Sequence, residues 1–194
     1  MLPIGPLMIE HRLIERMIKI IENELNQIQE KNEINPIFID NAVDFIRTYA
    51  DQTHHGKEED ILFRELKKKD ISDKHRKTME ELIDEHVFAR KTTGDLVEAK
   101  ENFINGDRDA INIIIKKMQT LTEFYPKHID KEDNHFFRPI MDYFTKDEQN
   151  ELLKEGQVFD RRMIHRKYNS VVKDYEYARE LLSKEQKDDW INYI

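Results

Sequence analysis

The sequence predicts an all-α protein, an antiparallel up-down-up-down four-helix bundle with additional C-terminal helices. Apolar residues recur at intervals of three and four along four long segments, which is the spacing of one face of an α-helix. Charged residues make up 37% of the chain, and glycine and proline supply five residues each of 194, a composition typical of helix-rich proteins. Short polar turns separate the segments, and short connections favour antiparallel neighbours.

The first two helices are bounded by prolines and polar stretches. The first helix is predicted to begin near Pro6 and to end within residues 30–33, Glu-Lys-Asn-Glu. Asn35 and Pro36 are expected to start the second helix, because asparagine caps helix N-termini and proline suits the first helical position. The second helix is predicted to end in residues 67–70, Lys-Lys-Lys-Asp.

The third and fourth helices have equally clear boundaries. Ser72 is expected to cap the third helix. Residues 105–107, Asn-Gly-Asp, are predicted to end it and to start the fourth helix, since glycine suits the left-handed position after a helix and aspartate suits an N-cap. Pro126 removes a backbone donor, so it is expected to kink or split the fourth helix.

The last fifty residues are predicted to be helical as well. Residues 145–148 and 183–186 are capping-box patterns. A short helix should follow the first pattern, a longer one should run from about Val158 to Leu182, and a terminal stub should extend through Trp190. We therefore expect a bundle over residues 1–144 and a helical extension, packed against it, over residues 145–194.

Composition excludes several classes of function. The chain has no cysteine, which excludes disulfides, thiolate metal sites and iron–sulfur clusters. The net charge of −8 and the lack of a basic face argue against a nucleic-acid partner. No apolar run approaches the roughly 20 residues that span a bilayer. Residues 1–12 have no basic n-region and reach an acidic residue at Glu10, so they do not resemble a signal peptide. A cytoplasmic location is predicted.

Histidines interrupt the apolar stripe of each bundle helix, and two of them are followed four residues later by glutamate. Residues i and i+4 lie on one helical face, so each pair directs two metal-binding groups to one point. Burying six such groups without compensation would cost more than a typical stability of roughly 5–15 kcal/mol. A metal cluster compensates all six together. The predicted metal ligands are His11, His54, Glu58, His86, His128 and Glu132.

The adjacent histidines His54 and His55 differ in the residues with which they share a helical face. His54 continues the apolar stripe of the second helix, whereas His55 aligns with Asp51 and Glu59 on a polar edge. His54 and Glu58 are therefore preferred as ligands. His55 and Glu59 are candidates for orienting the ligand imidazoles, which usually need a hydrogen-bond partner. Roles for His135 and His165 stay open.

These residues, in order, resemble the haemerythrin-like family, also called HHE cation-binding domains. The matching segments are Glu10-His11-Arg12, His54 to Phe63, Glu85-His86, and His128 to Asp133 with Phe136-Phe137, within about residues 5–142. The resemblance implies a bundle that holds two iron ions. It also implies that Glu58 and Glu132 bridge the metals and that the four histidines are terminal ligands. Zinc or manganese would accept the same ligands.

The chain departs from the oxygen-carrying members at one position. Those proteins have a second histidine four residues after that of the third helix, where this chain has Arg90. The pattern is closer to the branch that includes iron-centre repair proteins. The vacated position is open to water, His55 or another side chain, and Arg90 is a candidate for stabilising a bound anion such as peroxide or nitrite.

Three functions are compatible with the sequence. The first is a binding protein whose di-iron centre binds oxygen or nitric oxide for sensing, scavenging or storage. The second is an enzyme that acts on nitric oxide or peroxide, or that delivers iron for the repair of iron–sulfur centres. The third is a structural metal or a signalling module, with the C-terminal helices as a surface for a protein partner. The sequence does not decide between binding protein and enzyme.

Overall fold

The computed structural model describes the backbone of residues 1–178 and the side chains of residues 1–163 and Lys167. Every regular element in that part of the chain is helical, and no strand occurs there. The elements form five helices, which confirms the predicted all-α bundle. None of these helices combines the length and the apolar character required to cross a membrane.

Helix α1 spans Ile4–Lys31 and buries the predicted stripe of isoleucines and leucines. It begins two residues earlier than predicted, so that Pro6 lies in its first turn. Asn32 ends it in the left-handed conformation, with φ of 55°, and donates its backbone N–H to Ile28 O over 2.8 Å. Asparagine tolerates this conformation better than most residues, which explains the stop within the predicted polar stretch.

Helix α2 covers residues 36–66 and changes its width along the way. An α-helical start, Pro36–Phe45, is followed by two π-helical segments, Ile46–His55 and Glu58–Phe63, and by a last α-helical turn, Arg64–Leu66. The Asn35 side chain accepts the backbone N–H of Phe38 over 3.1 Å, which confirms the predicted N-cap. The π-helical segments were not predicted, and they include the histidine pair.

Helices α3 and α4 form the other half of the bundle. Helix α3 spans Asp73–Ile104, and Ser72 caps it by accepting the backbone N–H of His75 over 3.3 Å. Helix α4 comprises Ala110–Asp130, a π-helical segment Lys131–Phe136, one α-helical turn Phe137–Ile140 and a 3₁₀ turn Met141–Tyr143.

Of the two outcomes expected at Pro126, a kink or a split, the split does not occur, because the helix continues through this residue, and the kink stays a prediction. The proline removes only one backbone donor. The helix is packed against both α1 and α3.

Helix α5 is a single element, Lys146–Ala178, in the described part of the extension. The prediction of a short helix followed by a second one from Val158 is wrong, since the chain stays helical through Gly156, where glycine costs about 1 kcal/mol. The Thr145–Glu148 capping box is confirmed, with Glu148 N–H donated to Thr145 Oγ1 over 3.3 Å and Thr145 N–H donated to Glu148 Oε2 over 2.8 Å. The predicted stub at residues 183–190 lies outside the described residues.

A ladder of ion pairs joins α5 to α2 and to Lys69, three residues after the end of α2. Lys69 contacts Glu148 at 2.5 Å, Arg64 contacts Glu155 at 2.8 Å, Lys57 contacts Asp160 at 2.7 Å, and Asp44 contacts Lys167 at 2.5 Å. The numbers fall on one helix as they rise on the other, so the two helices run in opposite directions. This packing agrees with a C-terminal extension against the bundle, while the boundary at residue 144 stays a prediction.

The core of the bundle has two apolar clusters. One contains Ile14, Ala50, Leu121 and Tyr125, and the other contains Leu7, Ile61, Leu82, Phe136 and Phe137 among others. The predicted ligand histidines lie between members of the two clusters on their helices. A layer of polar side chains is therefore enclosed by apolar layers on both sides.

Candidate metal centre

The six predicted ligand side chains meet in this polar layer, and each is at least 98% buried. The imidazole Nε2 atoms of the four histidines surround the two carboxylates. Glu58 lies with Oε1 3.2 Å from His54 and with Oε2 3.4 Å from His86. Glu132 lies with Oε2 3.1 Å from His11 and with Oε1 3.4 Å from His128. Each carboxylate thus points one oxygen to each side of the layer, as a bridge between two metal ions requires.

These ligand atoms lack hydrogen bonds within the described part of the chain. They are four imidazole nitrogens and four carboxylate oxygens, all shielded from solvent: Nε2 of His11, His54, His86 and His128, and both Oε atoms of Glu58 and Glu132. Most buried polar atoms in proteins are paired, because an unpaired one costs about 1–3 kcal/mol. Bound cations would satisfy all eight atoms, and imidazole with carboxylate is a donor set that suits iron, manganese and zinc.

His55 is also part of the cluster, which the sequence did not predict. Its side chain is 1% exposed, and its ring stacks on that of His86 with centroids 3.8 Å apart. The sequence analysis placed His55 on a polar edge because it assumed an ordinary α-helix. In the π-helical segment Gly56 N–H is donated to Asp51 O, five residues back, and the wider turn directs both His54 and His55 into the bundle.

Together the side chains form two groups of potential metal ligands. One contains His55, His86 and His128, and the other contains His11, His54, Glu58 and Glu132, with ligand atoms within 4.8 Å of one another in each. One oxygen of each carboxylate also lies beside the three-histidine group. That group therefore has up to five donor atoms, and the group of His11 and His54 has four. Six-coordinate metals would keep open positions at both sites.

A ring of carboxylates orients four of the histidines. Each donates its Nδ1–H to a carboxylate on a neighbouring helix: His11 to Asp133 (2.7 Å), His54 to Glu10 (2.9 Å), His86 to Glu59 (2.7 Å) and His128 to Glu85 (2.8 Å). These bonds set the tautomer that leaves Nε2 free for a metal. The sequence analysis anticipated such a role for Glu59 only, although every one of these carboxylates is adjacent in sequence to a predicted ligand.

A cation stands behind each carboxylate of the ring. Arg12 pairs with Asp133, Lys57 with Glu10, Arg90 with Glu59 and Lys131 with Glu85. Each bundle helix therefore supplies the imidazole and the cation of one ionic relay, and the carboxylate between them comes from a neighbouring helix. The guanidinium of Arg90 contacts Glu59 at 2.5 Å and Asp51 at 2.7 Å, so both carboxylates compete with any bound anion for it.

The comparison with known families agrees with this arrangement. The family described as the hemerythrin HHE cation-binding domain matches residues 2–140. The chain belongs to the haemerythrin family. No curated protein and no solved structure gives a significant match to it. Membership makes the chain a metal-binding protein and confirms the resemblance that the sequence analysis drew from the histidine and glutamate motifs.

The two other histidines whose side chains the structure describes, His75 and His135, lie away from the layer. His75 makes a hydrogen bond with the Tyr143 hydroxyl over 2.9 Å. His135 is about 70% exposed and has only a distant carboxylate, Asp130, at 3.7 Å. The side chain of His165 lies outside the described residues. Of the residues whose roles were open, His55, Glu59 and Arg90 belong to the site or its surroundings, and His135 does not.

Without a metal, the surrounding carboxylates raise the pKa of three histidines of the layer, His11, His54 and His86. Burial alone lowers the pKa of His11, but Asp133 and Glu132 outweigh burial and raise the pKa to about 10. Burial likewise opposes protonation of His54, and the charge of Glu58 with the hydrogen bond to Glu10 raises the pKa to about 9. Both imidazoles are therefore cationic near neutral pH in the metal-free protein.

His86 and His55, though stacked on each other, differ in charge. Burial lowers the pKa of His86, but contacts with Glu132 and Glu59 outweigh it and raise the pKa to about 9. For His55, burial and the positive charges of His86, His54 and other neighbours lower the pKa well below its usual value. His55 is therefore neutral near pH 7, and a metal does not have to displace a proton from it.

Proposed function

We propose that this chain is a non-haem di-iron protein that binds a diatomic ligand, oxygen or nitric oxide, for sensing, scavenging or storage. The observation that carries the proposal is the layer of eight buried, unpaired ligand atoms contributed by His11, His54, Glu58, His86, His128 and Glu132. Their number exceeds what one metal ion can use. Iron fits the imidazole and carboxylate donors, which zinc and manganese also accept.

In this proposal the side chains have distinct roles. Glu58 and Glu132 would hold both metals, since each aims one oxygen at each group of histidines. The histidines hold the metals from the sides, and the ring carboxylates fix their orientation. When bound, iron supplies redox chemistry and a coordination position for the diatomic ligand. The apolar clusters above and below restrict access of bulk water to the layer.

An enzyme acting on nitric oxide or peroxide is the second candidate. It is supported by a cavity of about 220 Å³ beside His55, whose wall includes the hydroxyl-bearing side chain of Tyr125, a group able to supply a hydrogen bond. Delivery of iron for the repair of iron–sulfur centres is less well supported, because ionic relays hold four histidine ligands in place. A protein partner on the C-terminal extension and a cytoplasmic location stay predictions.

Metal analysis tests the proposal directly. The anaerobically iron-loaded wild type should hold two irons per chain, and Glu58→Ala and Glu132→Ala should each lose at least one, because one bridging group and two donor atoms are removed. His135→Ala is the control and should keep both irons. If both glutamate variants bound two irons with wild-type stability, the ligand assignment would be wrong.

The optical spectrum of the reduced protein before and after addition of oxygen separates the two candidate functions. A charge-transfer band that disappears on degassing supports a binding protein. Rapid, irreversible oxidation supports an enzyme, and nitric oxide and peroxide would then be tested as substrates.

A further inference from the structure

The ionic relay of His54 differs from the other three because it continues into the C-terminal extension. Lys57, the cation of this relay, pairs with Glu10 and also with Asp160 on α5, at 2.7 Å from the latter. In the described part of the chain, the cations of the other three relays pair only with residues of the bundle. A chain of polar contacts therefore runs from His54 in the metal-binding layer to a side chain of α5.

Lys57 is also the most deeply buried of the four relay cations. Its side chain is 5% exposed, whereas those of Arg12, Arg90 and Lys131 are 56%, 39% and 30% exposed. Water can replace a lost partner of an exposed cation, but a buried ammonium that loses a carboxylate stays uncompensated. The Lys57 ammonium therefore depends on both of its carboxylates.

Glu10 divides its two oxygens between Lys57 and His54. Oε1 accepts a hydrogen bond from the Lys57 ammonium, and Oε2 accepts Nδ1–H of His54 over 2.9 Å. A shift of the ammonium would move the carboxylate, and the carboxylate sets the direction in which the His54 ring points. Asp160 holds the ammonium from the other side. The position of α5 thus bears on the orientation of one metal ligand.

A second contact joins α5 to the π-helical turn before Gly56. The ring of Phe159 lies so close to Gly56 that a Cβ atom added to the glycine would be 2.9 Å from Phe159 Cζ. Gly56 donates its backbone N–H to Asp51 O, which closes the wide turn. Phe159 also packs against the apolar cluster that contains Phe137. Two adjacent residues of α5, Phe159 and Asp160, therefore contact the turn and the relay cation.

The seat of α5 on the bundle is only partly filled. A cavity of about 40 Å³ remains between α5 and helices α1 and α2, and its wall includes Leu7, Leu62 and Leu152. Atoms around such a space lack van der Waals partners on one side. In the other ion pairs of the ladder every side chain is at least 25% exposed, and exposed pairs contribute little. The pair of Lys57 and Asp160 is therefore the ion pair of the ladder that contributes most to the docking of α5.

We propose that α5 is a positioning element of the metal centre and that its docking is coupled to metal binding. Asp160 orients His54 through the two residues between them. The docked extension therefore favours metal binding in the group of His11 and His54. Because a coupling free energy is reciprocal, bound metal in turn strengthens the docking of α5. The inference rests on the metal site of the proposed function, and it gives sensing a route by which occupancy of that site reaches the C-terminal extension.

Competition of Fe²⁺ with a chelator, under anaerobic conditions, measures the two binding steps. Asp160→Asn keeps the shape of the side chain and removes its charge, so the affinity of one step should fall about 10-fold or more, as for other lost partners of metal ligands. The other step should stay unchanged, because the three-histidine group has its own relays. Glu155→Gln is the matched control, since it removes a charge that pairs with Arg64 between the same two helices but outside the relay. It should leave both steps unchanged.

A double variant separates positioning from a general loss of stability. In Glu10→Gln the path to His54 is already altered, so adding Asp160→Asn should weaken Fe²⁺ binding by less than about 2-fold further. If Asp160 acted only by stabilising the fold, its full effect would persist in that background. Asp160→Glu restores the charge and should recover most of the wild-type affinity.

Hydrogen exchange measures the coupling in the reverse direction. Fe²⁺ should slow the exchange of the backbone amides of residues 156–163 about 10-fold in the wild type and in Glu155→Gln, and this slowing should be lost in Asp160→Asn. The wild-type comparison needs no variant, so it decides the proposal if Asp160→Asn does not fold. An unchanged exchange rate in the wild type would then overturn it.

Iron content is measured first, on every variant. If the wild type holds two irons, and Asp160→Asn matches Glu155→Gln in both binding steps and in exchange, the proposed function survives and the inference is overturned. If the wild type does not hold two irons, the proposed function fails, and the same measurements with Zn²⁺ decide the inference. If Zn²⁺ does not bind either, the inference falls as well.

Discussion

Loading of the metal should release about three protons per chain near pH 7.5. In the metal-free protein the pKa of His11 is raised to about 10 and those of His54 and His86 to about 9, so each is almost fully protonated at that pH. A metal binds only the neutral imidazole. Three histidines with an ordinary pKa of about 6.5 would together release only about a quarter of a proton. Metal affinity should accordingly rise about 1,000-fold per pH unit between pH 7 and 8.5.

Calorimetry in buffers of different ionisation enthalpy counts these protons. Anaerobic Fe²⁺ is titrated into the metal-free protein in phosphate and in Tris, and the difference in observed enthalpy gives the number released. His11→Gln should lower the count by about one. His135→Gln changes an exposed histidine outside the layer and should leave it unchanged. A count below one in the wild type would refute the argument that the carboxylates hold protons on these histidines.

Three further predictions concern stability and metal affinity. Protonation of His11, His54 and His86 stabilises the metal-free fold fully below about pH 6.5, and this stabilisation is lost as the pH rises through 9 to 10. The Tm of the metal-free protein should therefore fall as the pH is raised from about 6.5 to 10. A Tm that rises over this range contradicts the prediction. Asp133→Asn removes the ring carboxylate of His11 and should weaken metal binding about 10–100-fold in competition with a chelator, and unchanged affinity would deny the ring its role. Leu121→Ala, at a fully buried position in one apolar cluster, should lower the free energy of unfolding by about 2–5 kcal/mol in a urea titration while two metals remain bound, and loss of metal would mean that the cluster also shapes the site.

The spacing of apolar residues predicted the helices because each helix buries one face in the core, and that face recurs every three or four residues. Caps such as Asn35 and Ser72 could be placed for the same local reason, since their hydrogen bonds close within three residues. The break expected near Gly156 was wrong because ion pairs with α2, which no local rule contains, accompany the helix on both sides of that glycine.

The site was predicted less completely, because part of it depends on geometry between helices. The histidines and glutamates on apolar stripes could be found from their burial cost. The cations and most carboxylates of the ring could not, since Glu10 and His54, for example, meet only when two helices cross at the right depth. The proton affinity of the imidazoles also follows from these contacts, which is why ordinary histidine behaviour would place the pH transition too low.

The π-helical turn before Gly56 makes the ligand set depend on the number of residues in α2. A wide turn is what results when one residue is added to an α-helix whose two ends are held in place. Deleting Gln52 from this turn would let the helix return to its usual pitch, and His55 would then lie about 100° from His54 around the helix axis, toward the polar edge beside Asp51. A difference of one codon between relatives, with every histidine retained, could thus change the coordination of the metal.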